Sequence, residues 1–262
     1  MKDILNIIAE NKKREIEALY LHRDFPLFQV RAEGEIYPVY SMSESLRQTP
    51  GGIIAEFKRR SPSKGDISPM ADVSDIIPQY VSNGAAACSV LTDTRFFGGS
   101  KADLAIARTL THKTPLLRKD FILSYVQIYE ARVLGASAIL LIAAILSEKE
   151  LSTLFDYAHS LGLEALVEIH NMDELDKITF KPDMLGVNNR DLYSFHTDVN
   201  HSFNIAKYLP SDWLLVAESG IKKPEDIKRL KDAGFSGFLI GEAFMSSPDP
   251  GATLKQFINE GI

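Results

Sequence analysis

The chain has 262 residues, 45% of them apolar, with 29 Lys and Arg against 35 Asp and Glu and a formal charge of −6. That length builds one large domain or two small ones with a real core, and the slight acidic excess supplies no field for nucleic acid or an anionic membrane. The longest apolar stretch, Ala138 to Leu146, is about half of the roughly 20 residues a membrane helix needs. The N-terminus has neither the uninterrupted apolar segment nor the cleavage site of a signal peptide. Cys88 stands alone, which excludes an internal disulfide, and it lies in the apolar run "AACSVL", where a buried inert thiol is expected. A soluble cytoplasmic globular protein is expected.

Along the chain, "DILNIIAENKKREIEALY" comes first and puts Ile4, Ile8, Ile16 and Leu19 at helical spacing. "SMSESLRQ" reads as a second, short helix. The first 48 residues are expected to cover one end of the domain that follows. Eight short runs rich in Val, Ile and Leu come next: "GGIIAEFK", "ACSVLT", "TPLLRK", "SAILLIA", "EALVEI", "DMLGVN", "WLLVAE" and "GFLIG". Most are nearly continuous in apolar character, as strands buried on both faces of a parallel sheet should be. Between them lie helical segments with their own punctuation. Asp72 and Ser124 are candidate N-caps, Ser147-x-x-Glu150 is a capping box, Pro224 opens a helix, and Gly84, Gly135, Gly162 and Gly234 close the four. Eight strand–helix units predict an α/β fold, a (β/α)8 TIM barrel with an N-terminal helical extension, as one domain over 1–262. A doubly wound open sheet is the alternative; it usually needs fewer strands and a G-x-G-x-x-G turn, which does not follow the first strand.

Barrels of this kind carry their active sites at the C-terminal ends of the strands. The first run ends with Glu56 and Lys58, the third with Lys119, the fifth with Glu168. The sixth ends with Asn188, Asn189 and Arg190, and the seventh with Glu218 and Ser219. On the first strand Glu56 and Lys58 share the inward face, because side chains alternate every residue. Two lysines and three carboxylates thus converge on one mouth. Burying five ionisable groups is costly unless something uses them, so the set reads as functional. Ser219 and Gly220 after the seventh strand, with Gly241 and Glu242 after the eighth, suit a phosphate, which backbone N–H groups bind where glycine permits close approach. "EAFM" is expected to form a short helix there. The six histidines are scattered: His196 and His201 lack metal-ligand spacing, and His170 is expected to cap or pair locally. No metal site is expected. Arg59 and Arg60 suit an anion or a solvated loop equally.

The stretches "IIAEFKRRSPSKG", "SVLTDTRFFGGS", "LLRKDFI", "QIYEARVLGASAILLIAA", "LVEIH", "GVNNRDL", "VAESGI" and "FLIGEAFM" closely resemble the indole-3-glycerol phosphate synthase family. The resemblance covers the whole chain, extension included. It implies a tryptophan-pathway carboxy-lyase acting on 1-(2-carboxyphenylamino)-1-deoxyribulose 5-phosphate, an anthranilate-derived sugar phosphate, without metal or redox cofactor, nucleic acid or membrane. Carried over residue by residue, it makes Lys119 the general acid, and Lys58 the group that meets the leaving carboxylate and donates a proton in the dehydration. Glu168 takes a proton as the ring becomes aromatic, Glu56 holds the lysines charged and oriented, Glu218 completes that network, and Asn188 hydrogen-bonds the substrate. Ser61, Phe121 and Arg190 join Ser219, Gly220, Gly241 and Glu242 as substrate- and phosphate-binding residues. The loop from Arg59 to Gly65 and the N-terminal helix are expected to close over the substrate. Two positions depart from the family's pattern. Asp191 stands where many relatives carry Asn, and Glu242 where Ser is frequent, so that the backbone N–H remains but no hydroxyl is present. A phosphoribosylanthranilate isomerase-like barrel would need a cysteine–aspartate pair at strand ends, and a barrel that only binds phosphate would need neither Lys119 nor Glu168.

Overall fold

The computed structural model describes residues 4–21, 37–191 and 196–261. Eight parallel strands pair in chain order: β1 (Ile53–Phe57), β2 (Ala87–Leu91), β3 (Leu116–Lys119), β4 (Ala138–Ile142), β5 (Glu164–Ile169), β6 (Met184–Asn188), β7 (Leu215–Glu218) and β8 (Phe235–Ile240). The sheet closes because Ile54 of β1 sits opposite Leu239 of β8 on one side and Ala87 of β2 on the other. The fold is a TIM barrel. The strands alternate between two apolar layers, as a period of two requires. Ile53, Ala55 and Phe57 face the helices, whereas Ile54 joins Leu117, Leu140, Leu166, Val216 and Leu239 inside the barrel.

The outer helices start where the sequence signals place them. Asp72 accepts from the Ser74 N–H at α3 (Val73–Ser82), which follows the two helices of the extension. The next in order are α4 (Lys101–Leu110), α5 (Tyr125–Val133) and α6 (Glu148–Ser160). At α5, Gln127 accepts from the Ser124 N–H; at α6, Ser147 and Glu150 accept reciprocally from each other's N–H. Then come α7 (Asn200–Ala206), α8 (Pro224–Asp232), which begins at its proline, and α9 (Pro250–Glu260). "EAFM" is the single helical turn Glu242–Met245. Among the described residues no helix is long and apolar enough to cross a membrane.

The extension differs from expectation: it covers both ends of the barrel. Helix α1 (Ile4–Leu21) lays Leu5 and Ile8 over the mouth formed by the strands' C-terminal ends. Helix α2 (Met42–Gln48) inserts Met42 and Leu46 into the opposite end. There Glu164, the first residue of β5, accepts from the Met42 and Ser43 N–H groups and from the hydroxyls of Ser41 and Ser43, at 2.6–2.9 Å. An apolar barrel interior open at two ends needs two plugs, and the short helix supplies the second. Residues 22–36 of the extension lie outside the described residues.

Helix α1 is also held by charge. Lys12, buried, sits 3.1 Å from Asp93 after β2, 2.9 Å from Asp120 after β3 and 2.7 Å from Glu15. Asp120 also pairs with the buried Arg118, which reaches Glu130 of α5. Burial pushes the Asp120 carboxyl up, but Arg118 and then Lys12 hold it well below the usual carboxylate range. Cys88 is fully buried in the outer layer, and burial pushes its thiol up to about 12, so it is inert.

Candidate active site

A cavity of about 740 Å³ opens at the strands' C-terminal ends. Its walls include Glu56, Lys58, Lys119, Glu168, Asn188 and Arg190, all expected from strand ends. Ser61, Phe121, Ser219, Gly220, Gly241 and Glu242 line it too. Glu218 lies beneath this surface, almost wholly buried, and touches the site through Lys119.

The charges form a pair and a triad. Lys58 Nζ is 2.5 Å from Glu56 Oε1. Lys119 Nζ is 2.9 Å from Glu218 Oε2 and 3.5 Å from Glu168 Oε2. Glu56 therefore orients Lys58 by contact, whereas the direct partners of Lys119 are Glu218 and Glu168. Burial alone would lower the pKa of Lys119, but Glu218, Glu168 and, third, Glu56 raise it well above the ordinary lysine value. Burial pushes Glu56 up, and Lys58, Lys119 and Arg190 more than reverse it. Burial pushes Glu168 up as well, but Lys119 and His170, with Asn188 as a hydrogen-bond partner, hold it below the usual carboxylate range. Glu218 goes the other way: burial and the neighbouring Glu168 charge push it up to about 8 against the pull of Lys119. Room for that carboxylate comes from Gly186 on β6, where a Cβ would stand 2.1 Å from Glu218 Oε1.

The far side of the cavity is built from two turns. Ser219 (φ 65°) and Gly220 (φ 79°) are both left-handed, and Ser219 is the one non-glycine residue with positive φ among the described residues. Strain of that kind concentrates at functional sites. Asn189 supports this turn by donating to the Glu218 and Ser219 carbonyls at 3.0 Å, while its own carbonyl accepts from Ser202. Next to it, Gly241 packs against Glu56; a Cβ there would lie 2.5 Å from Glu56 Oε1. Glu242 meets Lys64 at 3.1 Å and Arg190 at 3.8 Å. Arg190 also donates to the Ser63 hydroxyl, and its N–H donates to Asn188 Oδ1 at 3.1 Å. The site thus presents acid–base groups at one side and amides with cations at the other.

A sequence model of indole-3-glycerol phosphate synthase matches residues 5–257. The chain belongs to the indole-3-glycerol phosphate synthase family. It is 50% identical to an indole-3-glycerol phosphate synthase from Bacteroides thetaiotaomicron, with 98% of each chain covered. The corresponding protein of Paracidovorax citrulli is 43% identical, over 98% of this chain and 99% of that one. Among solved structures, the tryptophan synthase alpha subunit of Legionella pneumophila str. Paris superposes with a TM-score of 0.62 at 15% identity, over 86% of this chain and 99% of that one. The 3-hexulose-6-phosphate synthase of Salmonella typhimurium gives 0.63 at 10%, over 80% and 98%. Those two likenesses concern the barrel.

In this indole-3-glycerol phosphate synthase family member the structure decides several points that the sequence left open, and His170 pairs locally, as expected. Asn189 points into the protein and braces the Ser219 turn. Neither arginine of the first loop faces the cavity: Arg59 pairs with Asp103 and lies 4.7 Å over the Phe57 ring, and Arg60 is 3.8 Å from Asp66. Lys64, from the same loop, lines the cavity instead. A loop's cations cannot be told apart by sequence when its path is unknown. His170 also lines the cavity and lies 3.2 Å from Glu168. Its signal was present as spacing: Glu168-x-His170 repeats the Glu56-x-Lys58 pattern of a carboxylate and a cation on one strand face. Among the described residues no group of three His, Cys, Asp or Glu is arranged to hold a metal.

Proposed function

We propose that this cavity performs the family's reaction as a carbon–carbon lyase (carboxy-lyase), with the substrate's phosphate at the Ser219–Gly220 and Gly241–Glu242 turns and its aryl carboxylate at Lys58. Lys119 gives a proton to the ketone oxygen while the aryl carbon forms the new carbon–carbon bond. Carbon dioxide then leaves, and its bonding electrons stay in the ring. The new hydroxyl departs as water with a proton from Lys58, and Glu168 takes the last proton as the ring becomes aromatic. Glu56 and Glu218 hold the two lysines charged, Asn188 orients the substrate, Phe121 supplies an apolar wall, and Ser61 and Arg190 close the loop side. The protein acts in the cytoplasm as one barrel domain with its extension, on a small-molecule substrate, with neither nucleic acid nor membrane.

The observation that supports this most is the position of Lys119, an ammonium between Glu168 and Glu218 at the floor of a cavity whose other wall suits a phosphate. A buried ammonium paired this way keeps its proton until the ketone oxygen needs it. The test is turnover of the cyclisation substrate, followed by indole fluorescence. Lys119→Ala is expected to lower kcat by about 10²- to 10⁴-fold, the usual worth of a positioned general acid. Its thermal midpoint should fall, because the buried Glu168 and Glu218 lose their shared counter-charge, so circular dichroism at the assay temperature checks that the variant is still folded. Near-normal kcat in this variant would overturn the assignment.

A further inference from the structure

His170 directly follows β5, two residues beyond Glu168, so both side chains point to the barrel mouth. Its Nε2 lies 3.2 Å from Glu168 Oε1, and its Nδ1 lies 3.4 Å from Glu174 Oε2, in the helical turn after the strand. Both ring nitrogens thus face a carboxylate, which a neutral imidazole cannot satisfy, because one of its nitrogens must be an acceptor. Neither nitrogen is aligned for a straight hydrogen bond, and only a protonated ring makes both contacts ionic. The ring is held from behind as well. Glu174 accepts from the His170 N–H at 2.8 Å, and the His201 Nε2 of α7 lies 2.7 Å from the His170 carbonyl.

We propose that His170 is a positioning residue of the reaction: as an imidazolium clamped by Glu174, it holds Glu168 ionised and aimed as the base. The proposal rests on Glu168 being that base. Glu168 shares the mouth with two other carboxylates, Glu56 from β1 and Glu218 from β7. The cations facing this group are Lys58 from β1, Lys119 from β3 and Arg190 after β6, whose pull is on Glu56, and Asn188 from β6 is uncharged. Lys58 is engaged by Glu56 and Lys119 is shared between Glu218 and Glu168, so His170 supplies Glu168 with a second counter-charge of its own. Burial opposes a charged ring, yet Glu168 and Glu174 together raise His170 to about 10. The mouth therefore carries a carboxylate–cation pair on each of two opposite strands, β1 and β5, in the closed order of eight.

The experiment has two arms on the full chain. In the first, ¹⁵N-histidine NMR of the ligand-free protein follows His170 between pH 6 and 10. An imidazolium is expected through pH 8.5, where an ordinary histidine with a pKa of about 6.5 is neutral. In Glu174→Gln, which keeps the ring, that titration should move down by about one pH unit or more. In the second arm, kcat/KM is measured against pH for His170→Asn and Glu174→Gln. Both should lose more at pH 5.5 than at pH 8.5, with the acidic limb moved up by about one pH unit or more, because the base loses one of its two counter-charges. Loss of packing alone would lower both values equally. A His170 that titrates near its ordinary value, or an acidic limb that moves in neither variant, would overturn the proposal. The NMR arm needs no substrate, so a failure of the reaction assignment would show separately, as absent turnover in the parent protein.

Discussion

Lys12→Met removes the cation by which the N-terminal helix reaches the barrel. The substitution keeps the length and most of the apolar volume of the side chain, so the loss isolates the charge. What remains is Asp93 and Asp120, both buried, with Arg118 still on Asp120 alone. Removing one partner of a buried ionic cluster costs about 3–5 kcal/mol, because it strands a charge that water cannot reach. At about 2–4 °C per kcal/mol for a chain of this size, the thermal midpoint should fall by about 6–20 °C near pH 7.5. The pH dependence has a defined sign. Asp120 is held below its unfolded value, so its contribution is complete above the ordinary carboxyl pKa of about 4 and is lost as pH falls below it. Part of that depression comes from Lys12, so the gap between parent and variant should narrow as pH drops toward 3. Differential scanning calorimetry at several pH values measures this, and trypsin digestion reports whether α1 opens first, since it is anchored otherwise by Leu5, Ile8 and Ile16. A midpoint within about 2 °C of the parent at pH 7.5, under 1 kcal/mol on the same scale, would refute the claim that Lys12 is the counter-charge of this cluster.

Three more outcomes follow from the site's geometry. Gly241→Ala should lower kcat as well as raise KM, since its Cβ would meet Glu56 Oε1 at 2.5 Å while crowding the phosphate turn; a pure KM effect in steady-state kinetics would show that Glu56 is undisturbed. The alkaline limb of kcat/KM should move to lower pH in Glu218→Gln more than in Glu56→Gln, because Glu218 raises Lys119 most and Glu56 least of the three carboxylates; the reverse order in pH–rate profiles would contradict the grouping of Lys119 with Glu218 and Glu168. In a double-mutant cycle on kcat/KM, Glu56→Gln and Lys58→Met should together cost less than the sum of their separate ΔΔG‡ values, since the two groups touch; strict additivity would mean they act independently.

Strand identity, helix starts and the inventory of the mouth were legible in the chain, and the reasons are local. A strand buried on both faces must be continuously apolar, and a period of two assigns Glu56 and Lys58 to one face before any fold is known. Caps such as Ser147 with Glu150 act within four residues, so their signal survives without tertiary context. Position at a strand's C-terminal end then gathers Lys119, Glu168 and Glu218 by topology alone. Pairing is a different matter, because it depends on which strands lie across the barrel and how far each side chain reaches. That is why Lys119 is held by Glu218 and Glu168 rather than chiefly by Glu56, why Asn189 turns inward beside Asn188, and why Lys64 rather than Arg59 reaches the cavity. The division of the extension between the two ends of the barrel, and the burial of Lys12 against residues more than 80 positions away, likewise rest on long-range contacts that no local pattern encodes. Local sequence determined which groups could do the chemistry; only the closed barrel decided which of them share a charge.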